Sequence, residues 1–140
     1  DQPILLNAQG KVTEGPASCL YIVRDGVAIT PSITSGILES VTRATVLRLC
    51  RETLRIPVQE REIDRTELYF ADEAFFCGTG AEVQPIGEID RYTIGSGAVG
   101  PITGRIETAF HDLVRGKDHG YPEYRTPVYQ ATAATVGASR

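Results

Sequence analysis

The chain has 140 residues, of which 41% are hydrophobic and 23% charged, with a net charge of −4. That length suits one domain, or part of a larger one, with a core that needs no staples. The composition excludes a disordered tail, a collagen-like repeat and a coiled coil; the 14 basic residues are scattered, which argues against a nucleic-acid partner.

Residues 4–6 read as a strand, 7–10 as a turn and 11–13 as the returning strand. Residues 19–23 and 27–29 form a second predicted hairpin. Between them Asp25-Gly26 suits the positive φ angles of a type I′ turn. Pro31 ends this hairpin. Residues 41–54 read as a long helix with Ser40 as its N-cap. Its expected apolar stripe is Val41, Ala44, Leu47, Cys50 and Leu54, with Arg43, Arg48, Arg51 and Glu52 off the stripe. Residues 56–63 suggest a strand. Asp64 and Glu67 resemble a capping pair opening a short helix to about Phe70. Residues 74–77 read as a short buried strand, 78–80 as a break, and 81–89 as a further strand. Residues 95–100 form a glycine-rich loop. Pro101 opens a last helix to about Val114, and residues 130–140 read as a loose tail. Hairpins mixed with helices predict an α+β or mixed α/β layer structure, not a regular βαβ array.

Four loops carry candidate chemistry. In Thr13-Glu14-Gly15-Pro16-Ala17-Ser18 a lone carboxylate among small residues suits a ring N–H⁺; the plainer reading is a solvated loop Glu. In Leu38-Glu39-Ser40-Val41-Thr42-Arg43 a helix start offers unpaired amides and hydroxyls to a phosphate; the plainer reading is a cap. In Gly78-Thr79-Gly80-Ala81 the glycines expose amides to an anion; the plainer reading is a bulge or tight turn. Gly95-Ser96-Gly97-Ala98-Val99-Gly100 matches the spacing of a dinucleotide fingerprint, with Asp118 about 20 residues on. Too few strand residues precede it and no parallel partner strand follows, so it reads as a flexible loop. His111 and His119 have no partners at metal-ligand spacing. Cys19, Cys50 and Cys77 lack CxxC spacing and read as small buried hydrophobes in a reducing compartment.

Taken in order, Glu14-Gly15, residues 38–43 and residues 78–86 resemble the C-terminal half of a class IV, pyridoxal-phosphate-dependent aminotransferase. Within that class the chain is most similar to branched-chain amino acid aminotransferases. Residues 21–26, 67–75, 100–103 and 126–128 support the resemblance, which covers most of the chain. It implies a mixed sheet or pseudo-barrel with flanking helices, in a cofactor-binding domain over residues 1–129. It further implies that Glu14 pairs with the pyridine nitrogen of pyridoxal 5′-phosphate and that Leu38 packs on the ring. The amides of Val41 and Thr42, with the hydroxyls of Thr42 and Thr79, would bind the phosphate. The amides of Thr79 and Gly80 would hold the substrate carboxylate.

Three positions depart from the family pattern. Cys19 stands where Asn is usual, Pro16 where a small residue is usual, and Gly80 where Ala is usual. The family's Schiff-base lysine belongs to a preceding N-terminal domain, and neither Lys11 nor Lys117 matches its motif. No catalytic residue is therefore expected in this chain. The first residue is Asp and no Met occurs, so the chain reads as a piece of a longer, cytoplasmic enzyme without a leader. The resemblance implies transamination between branched-chain L-amino acids and 2-oxoglutarate by ping-pong kinetics, with a homodimer or larger assembly and no membrane partner. The alternatives are a D-amino acid aminotransferase, an aminodeoxychorismate lyase, or a non-catalytic binding module.

Overall fold

A computed structural model of the chain describes residues 2–117, 120–126 and 128. His119, Asp118 and the expected tail over 130–140 lie outside the described residues. One sheet contains β1 (Glu14–Gly15), β2 (Ser18–Arg24), β3 (Val27–Thr30), β4 (Val58–Glu60), β5 (Glu73–Gly78) and β6 (Glu82–Ile86). Its order is β4-β3-β2-β5-β6, with β1 also paired to β2. Every described pairing in it is antiparallel except β3 with β4. The chain between those two carries α1 (Val41–Arg48) and its continuation, a π-helical segment Leu49–Leu54. A separate two-stranded hairpin, β7 (Glu88–Ile89) with β8 (Tyr92–Thr93), leads to α2 (Pro101–Val114). This is the mixed α/β layer structure expected.

The central strands are buried on both faces, so their apolar residues run almost without interruption. Side chains alternate along a strand. On one face Cys19 and Tyr21 of β2 join Phe75 and Cys77 of β5, Val46 and Leu47 of α1, and Ile106 and Phe110 of α2 in one core. The rings of Tyr21 and Phe75, opposite each other in the register, stack with centroids 4.9 Å apart. On the other face Leu20, Ile22, Ala74 and Phe76 pack with Val12, Ile63, Leu68, Ile89 and Ile94. The three cysteines are free and buried, as expected of small hydrophobes.

The Asp25-Gly26 turn has φ of 49° and 78°, as a type I′ turn requires. Several boundaries differ from expectation. The first hairpin keeps its backbone bonds (Leu5 N–H to the Glu14 carbonyl, Thr13 N–H to the Leu5 carbonyl, both 2.9 Å) but pairs in a ladder only at the Leu6–Val12 bridge. The strand expected over 56–63 stops at Glu60, because the Ile63 carbonyl accepts from the Val12 amide at 2.9 Å and draws the chain off β3. The strand expected over 81–89 divides at Gly87, where a Cβ would stand 2.6 Å from the Gly97 carbonyl oxygen. The Asp64–Glu67 capping pair does not form. Lys11 takes Asp64, Arg61 and Arg24 take Glu67, and Arg65–Phe70 winds as a 3-10 helix with no side-chain cap.

The helix over 41–54 forms with Ser40 as its cap, the hydroxyl accepting from the Arg43 amide at 3.2 Å. Its buried face follows the predicted stripe only in part: Leu47 and Cys50 are buried and Leu54 packs against the same core, but Ala44 is exposed. Val41 is 82% exposed, whereas Thr42, Arg43, Thr45 and Val46 are buried. Two of these polar residues turn inward on nearby partners. The Thr45 hydroxyl donates to the Val41 carbonyl, and Arg43 is met by three acceptors.

Candidate functional site

Glu14 ends up on β1, directly opposite Cys19 of β2, with the two-residue turn Pro16-Ala17 beyond it. The turn is tight because position 15 has no side chain; a Cβ on Gly15 would stand 2.7 Å from the Ser18 hydroxyl and 3.0 Å from Phe76. The half-buried Glu14 carboxylate accepts from the Leu38 amide through Oε2 at 3.0 Å. The Cys19 thiol lies 3.9 Å from the carbonyl of the same Leu38. Burial pushes that thiol up from its ordinary value, against a hydrogen bond to Ser40 that lowers it. Leu38 is thus held by both backbone groups while its side chain projects outward, 71% exposed.

Three residues on, α1 begins. The amides of Val41 and Thr42 come before the helical hydrogen-bond ladder, and the Ser40 cap satisfies only Arg43. A concavity of about 490 Å³ is lined by Val41, Thr42, Thr45, Thr79, Glu82 and Arg125, among others. It brings together Val41, Thr42 and Thr79, although Thr79 is far along the sequence from the other two. Glu14 and Leu38 do not line it; they form their own bonded pair just ahead of the same helix.

Thr79, Gly80 and Ala81 connect β5 to β6, with Thr79 and Gly80 exposed. A Cβ on Gly80 would meet nothing within 4 Å, so the expected Ala would fit here as well as Gly does. Gly78 is different, since its Cβ would stand 2.8 Å from the Ala17 carbonyl oxygen. The base of this turn is therefore pressed onto the turn that follows Glu14.

The structure explains the other candidates. The first amides of α2, where a dinucleotide phosphate would sit, already receive a carboxylate. Glu73 accepts from Ile102 at 3.0 Å and from Thr103 at 2.6 Å. The sixth residue of the glycine-rich loop is glycine for that reason, as a Cβ on Gly100 would collide with the Glu73 side chain. His111 is partly buried, its Nε2 2.7 Å from Glu82. No metal-binding cluster is found among the described residues, and no described helix is long and apolar enough to cross a membrane. Lys11 is engaged by Asp64 at 2.6 Å and Lys117 faces Asp112 at 3.4 Å. Neither lysine lines the concavity.

Arg43 and Glu73 escaped sequence reasoning. Both are buried and hold a helix in place, Arg43 at the start of α1 beside the site and Glu73 at the start of α2, at the other end of β5 from Thr79. A charged residue inside an apolar stretch is the only local signal, and it is the ordinary mark of a solvated face.

The family described as amino-transferase class IV matches residues 1–89. A probable branched-chain-amino-acid aminotransferase of Aquifex aeolicus is 48% identical over 129 residues, covering 92% of this chain and 42% of that protein. The crystal structure of the branched-chain amino acid aminotransferase from Thermobaculum terrenum in its PLP-form has a TM-score of 0.90 and 53% identity, covering 92% of this chain and 42% of the other. The branched-chain aminotransferase of the thermophilic archaeon Thermoproteus uzoniensis, crystallised with norvaline, has a TM-score of 0.86 and 48% identity, covering 91% and 42%. The chain spans about two-fifths of the length of these relatives.

Proposed function

The chain belongs to the class IV aminotransferase family, and on that premise we propose that it is the cofactor-binding C-terminal domain, over residues 1–129, of a branched-chain amino acid aminotransferase. The whole enzyme would move the amino group of a branched-chain L-amino acid to 2-oxoglutarate with pyridoxal 5′-phosphate, as a homodimer or larger assembly in the cytoplasm. The N-terminal portion of the same enzyme would supply the lysine. Without it, this chain performs no turnover.

The residues present suit that cofactor. A phosphate needs neutral or positive donors, and the amides of Val41 and Thr42 with the hydroxyls of Thr42 and Thr79 are such a set. The observation that carries the reading is the Glu14–Leu38 bond beside this helix start. Leu38 fixes one carboxylate oxygen of Glu14 at 3.0 Å and leaves the other for a protonated ring nitrogen. When bound, the cofactor supplies an electron sink for the carbanion left by the substrate's α-proton. Glu14 keeps a proton on that nitrogen. Leu38 covers a ring face with its exposed side chain. The Thr79 and Gly80 amides receive the substrate carboxylate and orient it.

The test is the visible absorption of the complete gene product with pyridoxal phosphate. A protein-bound cofactor band that is lost with L-leucine or L-valine and restored by 2-oxoglutarate is expected. A response to D-alanine alone would instead indicate a D-amino acid aminotransferase, and one to aminodeoxychorismate alone a lyase. No bound-cofactor band at all would leave a non-catalytic binding module.

A further inference from the structure

Glu82 ends the β5–β6 turn in an unusual state. Its φ is 52°, in the left-handed region that L side chains rarely adopt and glycine enters freely. Glycine would adopt this backbone without strain. The side chain does gain something: its carboxylate lies 2.7 Å from His111 Nε2 and 3.6 Å from an Arg115 guanidinium nitrogen, both at the C-terminal end of α2. Glu82 also lines the concavity that holds Thr42 and Thr79.

We propose that Glu82 and His111 are positioning residues that set the Thr79–Gly80 amides for the substrate carboxylate, an assignment that rests on the function proposed above. The turn is restrained at both stems. At one, Gly78 is pressed onto the Ala17 carbonyl. At the other, Glu82 is tied to α2. Between them Thr79 and Gly80 are exposed, and a Cβ on Gly80 would meet no neighbour that could hold it. Charge gives the tie a second purpose. A bare carboxylate lining this concavity would repel an incoming anion. His111 and Arg115 occupy it as a donor and a cation, so the concavity remains open to a phosphate or a carboxylate. An ion pair this exposed adds little to stability, so its removal is expected to move the site more than the fold.

The experiment compares the complete enzyme with its Glu82→Gln, Glu82→Gly and His111→Gln variants. Hydrogen exchange at the amides of residues 79–82 is measured with and without cofactor. The KM for L-leucine and for 2-oxoglutarate, the kcat and the Tm are measured alongside. Faster exchange confined to the turn is expected, with both KM values raised by about fivefold, kcat altered less, and Tm nearly unchanged. Glu82→Gly, which relieves the backbone, is expected to keep the fold yet show the same KM loss. Unchanged exchange in all three variants overturns the tie. Faster exchange with unchanged KM overturns the positioning role. If the wild-type enzyme proves not to transaminate, the function proposed above fails first. The dissociation constant of 4-methylpentanoate, a carboxylate without the amino group, then replaces KM, and equal binding by wild type and variants overturns the proposal.

Discussion

Arg43 lies in the first turn of α1 and is only 4% exposed. Its guanidinium donates to the Thr30 hydroxyl at 3.3 Å, the Pro31 carbonyl at 2.8 Å and the Glu60 carboxylate at 2.9 Å. Its own carbonyl accepts from the buried Tyr21 hydroxyl at 3.0 Å. One side chain therefore ties the end of β3, the end of β4 and the helix start together, directly beneath Thr42. Burial pushes Glu60 up, but Arg51 and Arg43 outweigh it and leave the carboxyl below its ordinary value. Arg43→Met is expected to lower stability by about 2–3 kcal/mol, since it strands buried acceptors while Arg51 still faces Glu60. Chemical denaturation measures this. A loss within experimental error would mean that water or a neighbour replaces the guanidinium.

At the scale of elements, two carboxylates decide how segments meet. Glu73 leaves the first residue of β5 to cap α2, and Gly100 provides the space for it. Gly100→Ala is expected to displace that carboxylate and cost about 1–2 kcal/mol, the value of a helix cap; a drop in Tm against wild type checks it. Glu67 anchors the 3-10 helix through Arg61 at 2.6 Å and Arg24 at 3.2 Å. The Arg61 guanidinium is the main cause that holds its carboxyl below the ordinary 4.5, burial opposing it. A carboxyl lowered in the folded state contributes in full above its unfolded value. That contribution is lost as pH falls below 4.5 and through the lowered folded-state value. Glu67→Gln is therefore expected to flatten the acid-side fall of the urea midpoint and to lower the midpoint at neutral pH.

For the whole molecule, the sheet divides two cores, and the candidate site lies along one edge of that arrangement. Cys77 sits in β5 at the centre, opposite Cys19 and in the same core as Cys50. Burial pushes the Cys77 thiol far up, and the Cys50 thiol up to about 11. Neither is a thiolate at neutral pH. Modification of both by a thiol reagent is expected to track global unfolding across a urea series. Fast labelling in native buffer would show that the core opens locally.

The type I′ turn at Asp25-Gly26, the Ser40 cap, the burial of the cysteines and the extent of α2 follow from sequence because their causes are local: a backbone conformation, a side chain three residues from an amide, an apolar period. The candidate residues were legible for a related reason. Small residues, hydroxyls and a lone carboxylate mark strand ends and helix starts, whatever surrounds them. The outward Val41 and Ala44 of α1, its inward Arg43, the division of the strand at Gly87 and the use of Glu67 and Asp64 in ion pairs instead of caps were not legible. Each is a choice among partners distant in sequence, and only the packed chain sets which partner is near. The meeting of Val41, Thr42 and Thr79 at one concavity belongs to the same class. The sequence by itself determined which residues offer amides and hydroxyls at strand ends and helix starts. The tertiary structure decided which of them line one concavity, because the β2–β5 register and the packing of α1 on the sheet set which are near.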